Sequence, residues 1–364
     1  MPNTNNYAQK WENDLLEVRI QETLSSPFVT TNVRWLDAKT FHFTQMSTSG
    51  YKSHSRNGGW NSGKYVQTDV PFTVTHDRDV QFLVDKADVD ETNQTASIKN
   101  ISETFEKTQA SPEQDALFFS KTASKAEALE GYNSATAANS YTKSNVFDKL
   151  KGMLSAGKLR RYKSQGALIM YVTSAIMDLL EKSADFTRKI EMTQIAEGAG
   201  TGLETRVTDI DGVPVMEVID DERFYDRFNF DPEDGGFEPA VADYIKTEDT
   251  DVVEGKTYYT RSGSEGAYIY TAVASPAKAS LGNYYEKTAL GSRKINVLIA
   301  SPLTTKVVPK IASIYYFAPG GHTEGDGYLY QNRALSDVFT FPNGKDGKID
   351  SIYVDVDTTE FTGA

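Results

Sequence analysis

The chain predicts an α+β fold, and three observations predict it. Phe41 and Phe43 alternate with polar residues, as do Val70, Phe72 and Val74, the period-two pattern of half-buried strands. Other stretches carry apolar residues at three-four spacing, the pattern of amphipathic helices. Asp211-Gly212 sits between Val207/Ile210 and Val213/Val215/Val218, the turn chemistry of a tight β-hairpin. With 364 residues the chain exceeds what one core usually organises, so two domains plus an extra module are expected.

Residues 1–35 read as an extended arm. Trp11, Leu15 and Leu16 start a short helical pattern, but it fades into Ser25-Ser26 and Thr30-Thr31-Asn32. Such a segment suits either an arm draped over neighbouring subunits or a loose terminus. The two alternating runs around Phe41 and Phe72 read as an elongated hairpin. Its tip, Ser47 to Lys64, is rich in Gly, Ser and Asn and longer than an ordinary hairpin loop. Val80 to Val84 predicts a further strand, and Ile98, Ile101 and Phe105 the face of a helix. Ser111-Pro112-Glu113-Gln114 interrupts that helix. Ser111 suits an N-cap, Pro112 the first helical position and Gln114 a capping box, which predicts a kink or restart before Ala116, Phe119 and Ala123.

Val146, Leu150, Met153 and Leu154 predict one more helix, and Leu168, Ile169, Val172, Ile176, Leu179 and Leu180 another. Strands are expected at Ile295 to Ile299, Ile311 to Phe317 and Ile349 to Val356. Residues 241–289 differ in composition: Tyr244, Tyr258, Tyr259, Tyr268, Tyr270, Tyr284 and Tyr285 fall there, with short strand candidates Lys256–Arg261 and Ala267–Val273. Gly-containing flanks, Asp234-Gly235-Gly236 and Gly291-Ser292, mark it as a small inserted β module.

Composition excludes several function classes. Hydrophobic residues at 39 % and charged residues at 24 % fit a folded chain. The absence of cysteine removes disulfides, thiol catalysis and thiolate metal sites. A net charge of −13 argues against a tight nucleic-acid binder, which needs a basic face for phosphates. Met1 to Lys10 lacks the apolar segment of a signal peptide, and no run approaches the roughly 18 apolar residues of a membrane helix.

Chemical motifs are decoys on this reading. Gly58-Gly59-Trp60-Asn61-Ser62-Gly63-Lys64 matches a phosphate-binding loop, but Tyr65 replaces the Mg²⁺-holding Ser or Thr, and a strand follows where a helix is needed. Asp85, Asp88, Asp90 and Glu91 miss calcium-loop spacing and suit a helix start. His42, His54, His76 and His322 have no metal-ligand spacing, and His54 and His322 are expected in solvated loops. No catalytic residue, cofactor-binding residue or metal ligand is expected.

The order of features resembles the tailed-bacteriophage major capsid proteins of the Hong Kong 97 phage fold, particularly those of phages of Gram-positive bacteria. Four stretches carry the resemblance: Phe82-Leu83-Val84-Asp85 through Asp88 to Asn93; Pro112-Glu113-Gln114-Asp115; Val207 to Val218; and Ile295 to Ile299 with Lys310, Phe317-Ala318-Pro319 and Arg333 to Asp337. Each motif alone is weak; their order and spacing together are specific.

The resemblance implies an N-terminal arm at 1–35, an extended E-loop hairpin at 36–80 and a peripheral domain with a long spine helix at 81–145. It implies an axial domain at 146–240 and 290–330, interrupted by the inserted module at 241–289. Residues 331–364 return to the peripheral domain. The implied function is a virion shell: pentamers and hexamers of this chain forming an icosahedral head around double-stranded DNA, without sequence-specific DNA contact and without membrane. The chain would be made in the host bacterial cytoplasm. Implied partners are the chain itself, a separate scaffolding protein, a portal protein at one vertex, and a decoration protein or host glycan at the inserted module. An encapsulin-type compartment shell is the related alternative, and a carbohydrate-binding surface or tail adhesin the alternative of a different class. In the namesake phage Lys–Asn bonds crosslink the shell. Here Lys52, Lys64, Asn332 and Asn343 are expected to be solvated side chains, with no self-crosslinking.

Overall fold

A computed structural model describes residues 23–31, 33, 35–54, 58, 60–86, 98–183, 207–263, 268–342 and 348–361. The first elements are β1 (Thr40–Thr48), β2 (Tyr65–Thr73), β3 (His76–Asp85), α1 (Ile98–Phe105) and α2 (Ser111–Glu127). β4 (Asn133–Ala135), α3 (Val146–Met153), α4 (Arg160–Lys163), β5 (Ile169–Thr173) and α5 (Ser174–Glu181) follow. Next come β6 (Val207–Ile210), β7 (Val213–Val218), β8 (Phe228–Asn229), β9 (Glu238–Pro239) and β10 (Asp243–Lys246). The remainder are β11 (Tyr259–Ser262), β12 (Ile269–Ala272), β13 (Tyr285–Ala289), β14 (Arg293–Ala300), β15 (Thr305–Phe317), β16 (Gly327–Thr340) and β17 (Tyr353–Glu360). The mixed helix-and-strand class expected from the sequence is the class observed. Contacts divide the chain into two units, Met1–Ser111 with Thr305–Phe339, and Pro112–Thr304 with Thr340–Ala364.

In the first unit β16 lies between β15 and β3. β3 pairs with β16 over ten residues, from Asp85 opposite Gly327 to His76 opposite Ser336. Its residues alternate between half-buried and exposed through Leu83, as the Val80–Val84 pattern predicts. Ile101 of α1 packs on the cluster of Val84, Ile314 and Tyr330, and Phe105 meets Phe82 edge-on at 5.5 Å. The described part of the N-terminal segment lies along β15 of its own chain: Phe28 is buried, and the Thr30 amide donates to the Val307 carbonyl at 2.9 Å. Trp11, Leu15 and Leu16 lie outside the described residues.

The helix does not restart at Ser111. A π turn, Glu106–Ala110, joins α1 to α2, and the Ser111 amide donates to the Glu106 carbonyl five residues back. Ser111 has helical dihedrals and is not an N-cap. Pro112 lacks an amide hydrogen, and its ring needs space at the carbonyl four residues before; a wide π turn supplies that space without ending the helix.

The second unit is built on a six-stranded sheet ordered β4-β17-β14-β5-β7-β6. Here the single helix predicted over Leu168 to Leu180 is corrected. Ile169–Thr173 is strand β5, and only Ser174–Glu181 is helix. β5 is an interior strand, antiparallel to β14 and parallel to β7, with Met170, Tyr171 and Val172 all buried. A strand covered on both faces reads as an unbroken apolar run, which periodicity alone does not separate from a buried helix. Leu150, Tyr162, Ile176, Leu180, Val215 and Val297 belong to one core where α3, α4 and α5 meet the sheet. The β6–β7 hairpin turns where expected, with Asp211 at φ 55° and Gly212 at φ 82°. The last strand runs over Tyr353–Glu360, four residues later than its apolar pattern suggests.

Residues 241–289 contain the four-stranded sheet β10-β13-β11-β12. Tyr258, Leu281 and Tyr284 form a buried cluster beneath it, with Val273 against them. The two ends of this segment meet: Ser292, just before β14, donates from its amide (2.7 Å) and hydroxyl (2.9 Å) to the Ala240 carbonyl.

Candidate functional site

The sequence singles out the β1–β2 hairpin as the part of the chain least concerned with its own core. The two strands pair over nine positions, from Thr40 opposite Thr73 to Thr48 opposite Tyr65. The root is packed. Phe41 stacks on Phe72 at 5.6 Å, and both meet Phe339 edge-on at 5.2 and 5.4 Å. Asp337 is buried beside the root and accepts from the Thr75 amide (3.0 Å) and hydroxyl (2.8 Å). The Asp37 carboxylate accepts from the amides of Lys39 (2.9 Å) and Thr40 (2.7 Å), bonds that hold it below the usual carboxylate range.

Beyond the root the ribbon is open. Met46, Tyr51, Trp60, Tyr65 and Val66 are exposed, Trp60 at 95 %. A two-stranded ribbon is marginal on its own in water, and exposed apolar side chains add nothing to it until a surface covers them. The phosphate-loop-like run is part of this tip: Lys64 is exposed, and strand β2 begins at Tyr65. Asn61 donates to the Ser53 carbonyl at 2.9 Å, so the tip carries its own turn contacts.

The other candidates scatter. Asp85 ends β3, exposed, while Asp88, Asp90 and Glu91 lie outside the described residues. His42 and His54 are exposed. His322 departs from the solvated expectation. It is half-buried; Nδ1 accepts from the Glu324 amide at 3.2 Å, so Nε2 carries the hydrogen shared with the Gly327 carbonyl at 2.8 Å. Lys52 and Lys64 are exposed. Asn332 is not solvated as expected: it is buried and donates to Glu106 (2.6 Å) and to the Tyr330 hydroxyl (3.1 Å), because its strand β16 is the middle strand of its sheet. Asn343 lies outside the described residues. Among the described residues no group of three or more His, Asp or Glu is gathered as a metal site requires. No helix there is long and apolar enough to cross a membrane.

Two polar clusters that sequence reasoning missed stiffen the second unit. Asp355, buried in β17, accepts from Ser134 (2.5 Å), Thr136 (2.7 Å), Tyr141 (2.6 Å) and Asn296 (2.9 Å). Glu127 at the end of α2 pairs with Arg227 and Arg293, which also hold Asp226. Burial first, and the Asp226 carboxylate next, push the Glu127 carboxyl up to about 7, against the pull of the two guanidiniums. Their members lie up to 221 residues apart in sequence, so no local signal announces them.

The small sheet has one unusual face. Tyr244 stacks on Tyr270 at 3.9 Å, Tyr259 meets Tyr244 edge-on at 5.1 Å, and Tyr285 meets Tyr270 at 5.4 Å. The Arg261 guanidinium lies 4.2 Å from the Tyr268 ring and 4.7 Å from that of Tyr285.

No protein-family model matches the chain, and no curated protein matches it. Among solved structures it is similar to the mature capsid of bacteriophage PhiM1, at 14 % identity over 88 % of this chain and 82 % of that one, with a TM-score of 0.48. It is similar to the capsid of the cyanophage P-SCSP1u, at 9 % identity over 92 % and 86 % of the two chains, TM-score 0.46. A virus-like particle from Pyrococcus furiosus is similar at 10 % identity over 92 % and 95 %, TM-score 0.41.

Proposed function

We propose that this chain is a shell protein, the major capsid subunit of a tailed bacteriophage, which assembles with copies of itself around double-stranded DNA. The observation that carries this reading is the β1–β2 hairpin: nine paired positions per strand, packed at its root by Phe41, Phe72 and Phe339, with Trp60, Tyr65 and Val66 in the open. Such a ribbon gains by lying on another subunit, and one long flexible element lets a subunit make slightly different contacts around a closed shell. The capsid-like order of motifs from Phe82 to Asp337 supports the same reading. Scaffolding and portal proteins are its partners on this proposal, and residues 241–289 form a displayed module.

The test is expression of the full chain with its cognate scaffolding protein, followed by electron microscopy. Wild-type chain forms closed shells, while a variant with Trp60, Tyr65 and Val66 all changed to Ser stays as folded, unassembled subunits. Failure of the wild type to assemble, or full assembly of the variant, overturns the proposal. Native particles that hold an enzyme and no DNA identify a compartment shell instead.

A further inference from the structure

The tyrosine-bearing face of the β10-β13-β11-β12 sheet has the makings of a ligand site. Strand register places its members together. Arg261 is opposite Tyr270, Tyr259 is opposite both Ala272 and Tyr285, Tyr244 is opposite Lys287, and Lys246 is opposite Tyr285. Because side chains two apart share a face, Tyr244, Tyr259, Tyr268, Tyr270, Tyr285 and Arg261 lie on one side. The cluster of Tyr258, Leu281 and Tyr284 comes from neighbouring positions, and the sheet's own core does not use this face.

Two features define what fits. First, several aromatic faces are already in use. Tyr244 and Tyr270 stack on each other, and Arg261 covers Tyr268 and Tyr285. What remains for a ligand is the rim: four half-buried rings, those of Tyr244, Tyr259, Tyr270 and Tyr285, whose hydroxyls form no hydrogen bond to the described residues. Second, two cations lack a carboxylate partner among the described residues. Arg261 and Lys246 are exposed and form no ion pair within the described residues, in a chain of net charge −13. Lys287, on the same face, is already paired with Glu360.

We propose that this face binds an anionic oligosaccharide, with a sugar carboxylate on the Arg261 fork and sugar hydroxyls on the tyrosine rim. The inference rests on the reading of residues 241–289 as a displayed module. A guanidinium matches a carboxylate with two parallel hydrogen bonds, and phenol hydroxyls both donate and accept, as sugar hydroxyls do. Size excludes a protein partner: four strands about 4.8 Å apart and about four residues long make roughly 200 Å², against roughly 800 Å² per partner in a stable protein interface. Single-stranded nucleic acid stacks its bases on open ring faces, and here Tyr244 and Tyr270 each spend a face on the other while Arg261 lies over Tyr268 and Tyr285.

The test uses the full-length chain, as soluble subunits and as shells, with three probes: polygalacturonate, its methyl ester and an oligothymidylate. Wild type binds polygalacturonate at least tenfold more tightly than the ester or the oligothymidylate. Arg261→Ala lowers that affinity tenfold or more, Tyr270→Phe lowers it severalfold, and both variants keep the wild-type circular dichroism spectrum. Equal binding of acid and ester, preference for oligothymidylate, or undiminished binding by folded Arg261→Ala overturns the site. Loss of assembly in Arg261→Ala also overturns it, by making the face a contact between subunits. Because binding is read on unassembled subunits too, failure to form shells counts against the shell reading alone.

Discussion

The Tyr141 hydroxyl donates at 2.6 Å to Oδ2 of Asp355, a buried carboxylate whose hydrogen-bond partners among the described residues are all neutral. A carboxylate removed from water without a cation persists only when its lone pairs are taken up. Ser134, Thr136 and Asn296 take up the others, and Ser134 also belongs to the parallel β4–β17 pair at the sheet edge. Burial, then the charge of Asp355, raises the Tyr141 phenol above its usual value, so it stays a donor at any ordinary pH.

Asp355→Ala therefore strands four donors at once and is expected to cost about 3–5 kcal/mol of subunit stability. Tyr141→Phe removes one donor and is expected to cost about 1–3 kcal/mol. Urea unfolding of unassembled subunits measures both. A loss below about 1 kcal/mol for Asp355→Ala would show that the β4–β17 edge stands without its hub.

The Glu127 cluster carries a pH dependence whose sign follows from linkage. The folded carboxyl titrates at about 7 and the ordinary value is 4.5. Between those values the folded state holds a proton that the unfolded chain has lost. Stability from this group is thus full below about pH 4.5, falls as pH rises toward 7, and levels off above it, by about 1–3 kcal/mol in all. Glu127→Gln is expected to flatten that slope. Unfolding curves of both proteins between pH 5 and pH 8 decide it, and identical slopes would assign the dependence elsewhere.

Gly212 sits at φ 82° with nothing within 4 Å of an added Cβ, so a substitution there tests backbone strain alone. Gly212→Ala is expected to destabilise the β6–β7 hairpin by about 1–2 kcal/mol. Thermal unfolding gives the magnitude, and faster amide exchange at Ile210 and Val213 locates it. Wild-type exchange at both residues would mean that the turn has relaxed to another type.

Excision of residues 241–289 is expected to leave the six-stranded sheet intact, because Ala240 and Ser292 are already hydrogen-bonded to each other. A short Gly/Ser linker spans that gap without strain. The excised chain loses the Lys287–Glu360 ion pair at the end of β17, a cost of about 1 kcal/mol or less. Circular dichroism and assembly with the scaffolding protein measure the outcome. Insoluble or unfolded product would make the module part of the sheet's own support.

What the sequence by itself determined was every feature with a local physical cause. Alternation at Phe41, Phe72 and Val74 specified the hairpin strands, because period two follows from the pleat. Asp211-Gly212 specified a turn, because both residues must take positive φ. Three-four spacing at Ile98 to Phe105 and Val146 to Met153 specified helices, because one apolar stripe must face a core. The exposed tip was legible from its Gly, Ser and Asn content, and the composition shift at 241–289 from its tyrosines. Tertiary structure alone decided the rest. Ile169–Thr173 became a strand because β14 and β7 were available on both sides of it, an arrangement that erases alternation. Ser111 became helix interior because a π turn made room for Pro112 instead of breaking the chain's course. Asn332 was buried beside Glu106, and Asp355 became a hub, through partners far away in sequence. The tyrosine face likewise exists only through strand register, since Tyr244, Tyr259, Tyr270 and Tyr285 come from four different strands. Local patterns encode how a segment buries its own apolar atoms; which distant polar group meets which is decided only when the sheets close.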